Sequence, residues 1–325
     1  MRRIIREGQR WVWGASPEPA GSRPAGWVSL RPTRAAVVPD ELDPGLRVTP
    51  GSEMVGVVLE DTAETTDPRR WKGKRVVASP LVVCGRCDLC RAGLSTHCRE
   101  SRLMGRDVDG VLSERVSVPA TNLVELPRAL DDDRAALSAP LARVLHAASL
   151  ARLEGKVYVS IVGDGVEALL ASQVMTQRNA SVRVLGRDEK RYGLCEKWGA
   201  KHRHLDEVGR RADQDLVFVA TPGELETALR LVRPRGTVII LHQHAATPND
   251  RASQAAAAPL LSLIVERELI VLGSRALLLA EAVELLAKGG IDAQSLLTSR
   301  RRVADFEQAL TEASGAGALR TLVEF

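Results

Sequence analysis

Four cysteines within fifteen residues constrain this chain more than any other feature. Cys84, Cys87, Cys90 and Cys98 follow the spacing Cys-x2-Cys-x2-Cys-x7-Cys. Four thiolates this close in sequence can converge on one tetrahedral ion, and an all-sulfur set suits zinc. Such a set leaves no open coordination position, so the expected ion is structural. An iron–sulfur cluster and disulfides are the alternatives. Cysteines two residues apart rarely pair without strain, which weighs against disulfides.

The rest of the composition bounds the class. The 325 residues suggest two domains, and 45% hydrophobic with 26% charged residues is ordinary for a globular protein. Lys plus Arg outnumber Asp plus Glu by only 45 to 41. The longest basic run, Arg300-Arg301-Arg302, reads as a solvated face rather than a nucleic-acid patch. Aromatics make up 3% of the chain, too few for base-stacking platforms, so no nucleic-acid partner is expected. No stretch approaches eighteen uninterrupted apolar residues, so no membrane span is expected. The start, Met-Arg-Arg-Ile-Ile-Arg-Glu-Gly, turns polar before a signal region develops. Four of the five cysteines lie in the cluster and Cys195 stands alone, a usage that fits a reducing cytoplasm.

Residues 1–125 read as short strands broken by Pro and Gly: Trp27–Leu30, Gly56–Leu59, Arg75–Ala78, Val111–Val118 and Leu123–Leu126. The cysteine lobe, 84–98, projects from this β-rich unit, its metal replacing a core it is too small to form. From about 131 the pattern changes. Acids at Asp131 open a long apolar helix to about Leu153, and Lys156–Val162 is a buried strand. That strand runs into Gly163-Asp-Gly165-Val-Glu-Ala168, and a helix follows from Ala168 to Arg178. This is the strand–turn–helix context of a dinucleotide fingerprint. Gly163 permits the tight turn, Gly165 lets backbone approach a pyrophosphate, and Ala168 takes the third glycine's place. Glu167 beside that site brings a like charge. Strands at Ser181–Leu185, Leu216–Ala220, Thr237–Leu241 and Leu269–Leu272 alternate with helices at Asp188–Trp198, Glu224–Val232 and Ala280–Lys288. The series predicts an α/β fold with a doubly wound parallel sheet. An acid ending the second strand would bind the ribose of NAD; Gly186-Arg187 stands there instead. The opening at Gly186 and the guanidinium of Arg187 favour NADP(H) over NAD(H). The alternative is a solvated Arg187 that merely opens the next helix.

Together these stretches resemble the medium-chain, zinc-type alcohol dehydrogenase family. Further likenesses lie in Pro50–Val58, Ala139–His146, Leu229–Gly236 and Val271–Ser274, while the first 45 residues fit loosely. The resemblance implies a GroES-like domain over 1–125, a Rossmann domain over 126–288, and a return of 289–325 to the first. It also implies a homodimer or homotetramer, and hydride transfer between a nicotinamide and a small alcohol or carbonyl.

Departures from the family pattern fall on its catalytic zinc. The segment that brings the first ligand reads Ala35-Ala-Val-Val-Pro-Asp-Glu41, without cysteine. The Gly-His-Glu segment reads Gly51-Ser52-Glu53, and Pro-Leu-Ala-Cys reads Pro140-Leu-Ala-Arg143. A guanidinium keeps its proton and cannot ligate zinc. The catalytic metal is therefore expected to be absent, leaving Arg143, Glu53 and Ser52 as candidate site residues. Arg143 either pairs with Glu53 as a structural substitute for the metal or polarises a carbonyl. His146, His242 and His244 are secondary candidates, with core packing or a polar loop as the plainer account. The expectation is an NADP(H)-dependent oxidoreductase of a small alcohol, carbonyl or activated alkene without catalytic zinc. The alternative is a cofactor-binding homologue that does not turn over.

Overall fold

The computed structural model describes every residue except 18–23, 61–69, 152–154, 156, 208, 210, 222 and 242–250, with backbone alone over 251–258. His242 and His244 lie outside the described residues, as do Leu153 and Lys156, named above as element ends. The chain divides into two compact units, Met1–Ala139 with Ala282–Phe325, and Pro140–Glu281.

The first unit is built on the strand Trp27–Val37. Its valines, alanines and Leu30 favour an extended chain that packs on a pleated surface. It pairs antiparallel with Met54–Glu60, with Val116–Pro119 and with Arg320–Glu324. Pro32 has no N–H to offer, and the register with the neighbouring strand shifts between Pro32 and Arg34. The full sheet has seven strands, the others being Leu297–Arg302, Arg75–Ala78 and Leu123–Glu125. Its core joins Val28, Leu30, Val58 and Val118 to Phe306 from the returning segment. Full burial of a side chain such as Phe306 contributes about 1.5–3 kcal/mol. Only Val116–Pro119 of the expected strand 111–118 is strand; Gly110, Val111 and Leu112 donate instead to the carbonyls of Thr49, Gly51 and Pro50. An N-terminal hairpin, Arg2–Glu7 with Arg10–Ala15, turns at Gly8, whose φ of 62° suits a tight turn.

The crossing into the second unit lies at 139/140 rather than near 126. The intervening residues are tied to the first unit: the Arg75 guanidinium donates to the Leu130 carbonyl (2.7 Å), and Arg34 Nε to Asp133 (2.6 Å). The return begins at 282 rather than 289, and Arg134 donates to the carbonyl of Leu286 (3.0 Å). The single helix expected from 131 is two. Asp131 caps Asp132–Ala135 by accepting from the Arg134 N–H (2.9 Å), and Ser138–Leu150 follows. Pro140 is tolerated in the second helix's first turn but not within a continuous helix.

The second unit holds six parallel strands in the spatial order Lys201–His204, Ser181–Gly186, Tyr158–Val162, Gln214–Val219, Val232–Ile240 and Ile270–Gly273. Strand order reverses beside Tyr158–Val162, the crevice where open α/β sheets bind ligands. Val162, Leu185, Val217, Val219 and Val238 form its core with Leu229 from the helix Leu225–Leu231. Cys195 is fully buried, which pushes its thiol up to about 12 and makes it a packing residue.

His202, on the edge strand, is 3% exposed and packs against Tyr192, ring centroids 4.2 Å apart and planes tilted by 43°. Neither ring nitrogen has a hydrogen-bond partner among the described residues. Burial lowers its pKa below the usual 6.5; Asp164 and Asp188 oppose that shift, His204 and Arg203 reinforce it. The unfolded chain therefore takes up this proton first as pH falls. The stability His202 contributes is complete above pH 6.5 and is lost below it. Denaturant titrations at pH 7.5 and pH 5 should show that loss, and His202→Phe should remove most of it; an equal loss in the variant would assign it elsewhere.

Candidate functional sites

The cysteine lobe is shaped by its own backbone. Cys87 caps the single helical turn Asp88–Arg91, its sulfur accepting the Cys90 N–H at 3.5 Å. The Cys84 N–H points at the Cys98 sulfur (3.4 Å). Cys98 and Cys84 sulfurs are 3.5 Å apart, Cys87 and Cys98 sulfurs 4.0 Å, and all four ligand atoms lie within 4.8 Å of one another. A disulfide needs about 2.0 Å, and all five cysteines are free thiols. Four sulfurs about 2.3 Å from a central zinc would stand about 3.8 Å apart, close to what is seen. Backbone N–H donors, that of Cys90 foremost, lower the Cys87 thiol to about 6, and the Cys84 N–H lowers Cys98. Cys90, by contrast, is pushed up to about 12 by partial desolvation and then by the neighbouring sulfurs of Cys87, Cys98 and Cys84. Two favoured thiolates beside further sulfurs make a soft donor set that fits a thiophilic divalent cation.

The glycine turn lies at the head of Tyr158–Val162. Gly163 has φ 125°, and a Cβ there would sit 2.3 Å from Thr221 Oγ1. Gly165 caps the helix Val166–Gln177 without a side-chain hydrogen bond, and among the described residues a Cβ on it would meet nothing within 4 Å. The first N–H groups of that twelve-residue helix have no intrahelical acceptor, and among the described residues no side chain caps them. Ala168 is fully buried, as its packing role demands. These residues fit a dinucleotide's pyrophosphate. Glu167, in the first turn, accepts from Arg143 at 2.9 Å, so its like charge is offset by a guanidinium.

At the end of the second strand the turn residue Asp164 accepts from the N–H groups of Arg187 (2.6 Å) and Asp188 (2.7 Å). A Cβ on Gly186 would lie 2.3 Å from Asp164 Oδ2, so only glycine fits between them. Sequence reading gave Gly186 the role of making room for a ligand; part of that room is taken by Asp164. The Arg187 guanidinium donates to Glu224 at 2.8 Å, and Thr227 Oγ1 holds the other carboxylate oxygen at 2.8 Å.

The residues at the altered zinc positions have partners within their own units. Ser52 is buried and donates to the Glu41 carboxylate. Glu53 accepts from Arg320 at 2.8 Å, with the two residues 3% and 5% exposed. His146 Nδ1 lies 2.8 Å from Ser274 Oγ, fixing the helix Ser138–Leu150 to the end of the last sheet strand. Asp164, Glu224 and Arg320 were not singled out from the sequence. Asp164 could have been, since it sits inside the Gly-x-Gly turn; the other two carry no local signal.

The chain is similar to several known proteins. Residues 25–128 match the alcohol dehydrogenase GroES-like domain. The chain is 27% identical over 267 residues to 2-dehydro-3-deoxy-L-galactonate 5-dehydrogenase of Pseudoalteromonas atlantica, covering 78% of this chain and 76% of that one. It is also 27% identical over 255 residues to a zinc-type alcohol dehydrogenase-like protein of Haemophilus influenzae, covering 76% and 74%. Among solved structures, a protein from Sinorhizobium meliloti described as a zinc-binding dehydrogenase, bound to NADP, superposes with a TM-score of 0.82 at 25% identity, covering 100% of this chain and 99% of that one. A GroES-like unit with a sulfur quartet, a parallel dinucleotide-type sheet and these relatives agree: residues 25–128 form an alcohol dehydrogenase GroES-like domain, and the chain as a whole is similar to medium-chain, zinc-type alcohol dehydrogenases.

Proposed function

We propose that this chain is an NADP(H)-dependent oxidoreductase of a small alcohol, carbonyl or activated alkene, holding one structural zinc on Cys84, Cys87, Cys90 and Cys98 and no catalytic zinc. The observation that carries the reading is the open helix start at Gly165, joined to Gly186-Arg187 where an NAD-binding acid would end the second strand. The NADP held by the Sinorhizobium meliloti relative supports the same cofactor. Bound there, the nicotinamide would supply or accept hydride. The chain's part is to hold the pyrophosphate on the helix amides and the 2′-phosphate on Arg187. Serine, glutamate and arginine at Ser52, Glu53 and Arg143 are not a zinc ligand set, which supports chemistry without a second metal.

A second reading, a homologue that binds cofactor without turnover, is favoured by one observation. Ser52, Glu53, Arg143 and His146 each have a protein partner, so among these described candidates an obvious proton donor is not on offer. Four free, clustered thiols support a reducing cytoplasm, and no helix among the described residues is long and apolar enough to cross a membrane. Assembly as a homodimer or tetramer is supported by the sheet's last strand, Ile270–Gly273. Ile270 on it is 49% exposed, and Leu261 and Val265 on the helix Arg251–Glu266 are 61% and 76% exposed.

Titration with both reduced cofactors tests the proposal. NADPH should bind more tightly than NADH, and Arg187→Ala should narrow the difference by about tenfold, the scale of one charge-assisted phosphate contact. An unchanged preference in the variant would remove Arg187 from the account. A panel of carbonyls and alkenes with NADPH then separates turnover from binding alone.

A further inference from the structure

The corner that would take a 2′-phosphate is not simply basic. Arg187 is its exposed cation, its side chain 58% accessible, and it donates to Glu224 at 2.8 Å. Glu224 is itself only 14% exposed and is pinned from the other side by Thr227 Oγ1 at 2.8 Å. The carboxylate is thus fixed by its own helix while the arginine is the accessible partner. Asp164 adds a second carboxylate beneath the same residue through the Arg187 N–H, and Asp206 is close enough to act on the guanidinium through charge. Among the described residues, Arg187 therefore faces three acids.

A phosphate monoester carries close to two negative charges at neutral pH and offers three acceptor oxygens. It competes well for a guanidinium against one carboxylate, because an exposed ion pair adds little net stability in water. NAD(H), lacking the phosphate, has no such demand to make. We propose that Glu224 competes with the cofactor's 2′-phosphate for Arg187 and thereby limits the preference for NADP(H) over NAD(H). This rests on the reading of Arg187 given above. Glu224 is a specificity-determining residue that works by occupying the phosphate's partner, and the degree of selectivity is set by the strength of that pair.

Glu224→Gln keeps the shape and the acceptor for Thr227 while removing the charge. In the full-length protein its dissociation constant for NADPH should fall about three- to fivefold, with that for NADH changing less than twofold. On the Arg187→Ala background the same substitution should give no comparable gain. If Arg187→Ala weakens NADPH but Glu224→Gln leaves it unchanged or weaker, the competition is refuted and the role of Arg187 survives. Where Arg187→Ala has no effect on NADPH, both fall. A gain from Glu224→Gln that persists without Arg187 would mean plain charge repulsion and would also overturn the competition.

Discussion

Zinc removal should unmake residues 84–98 while leaving the second unit able to bind cofactor. Within this stretch only Cys98 is buried, and Leu94 is 50% exposed, so the lobe has no apolar core of its own. Its other cross-links are surface pairs such as Arg99–Asp88, 67% and 66% exposed, which hold little in water. The four sulfurs are what remains, and structural zinc on such sets binds with roughly 10–16 kcal/mol at neutral pH. Elemental analysis should find one zinc per chain, and two would refute the loss of the catalytic site. Cys98→Ser should release the metal and open the lobe to protease cleavage between 84 and 103, with NADPH affinity unchanged. A variant that stayed protease-resistant and metal-free would show that the backbone alone holds the lobe. Iron in place of zinc, with visible absorption, would identify a cluster instead.

What could be read in advance was whatever is local. The quartet is legible because all four ligands fall on one loop, and the glycine turn because strand, turn and helix are contiguous. Strands buried on both faces, such as Tyr158–Val162 and Gln214–Val219, announce themselves as apolar runs. Edge strands do not. Lys201–His204 is lysine, histidine, arginine and histidine, and pairs on one side only. Leu297–Arg302 holds the arginine run that reads as a solvated face; it is an edge strand whose exposure alternates. Arg300 and Arg301 there pair with Asp133 (2.7 Å) and Glu312 (3.0 Å). Charge partners were illegible for the same reason. Arg187 finds Glu224 only once parallel strands bring their loops to one end of the sheet, and Arg143 finds Glu167 only once the helices Ser138–Leu150 and Val166–Gln177 approach each other. The room that Gly186 leaves was foreseen, but its protein occupant, Asp164, depends on a turn geometry that sequence spacing does not give.

Arg320→Ala should strongly destabilise the first unit. Arg320, on the strand Arg320–Glu324, and Glu53, just before the strand Met54–Glu60, lie 267 residues apart in sequence and meet at 2.8 Å, with side chains 6% and 2% exposed. Truncating the arginine strands a buried carboxylate, a loss of about 3–5 kcal/mol. Replacing both partners by Met removes charge and counter-charge together, and such exchanges are commonly neutral or stabilising by about 1–4 kcal/mol. Urea unfolding followed through tryptophan, with Trp71 buried in this unit, should therefore show a large loss for Arg320→Ala and recovery in the Glu53→Met, Arg320→Met pair. The comparison also decides what Glu53 is for. A glutamate kept as the counter-ion of Arg320 can be exchanged with its partner at no cost to turnover. One that touches substrate cannot, and the doubly substituted protein would then be folded, zinc-loaded and inactive.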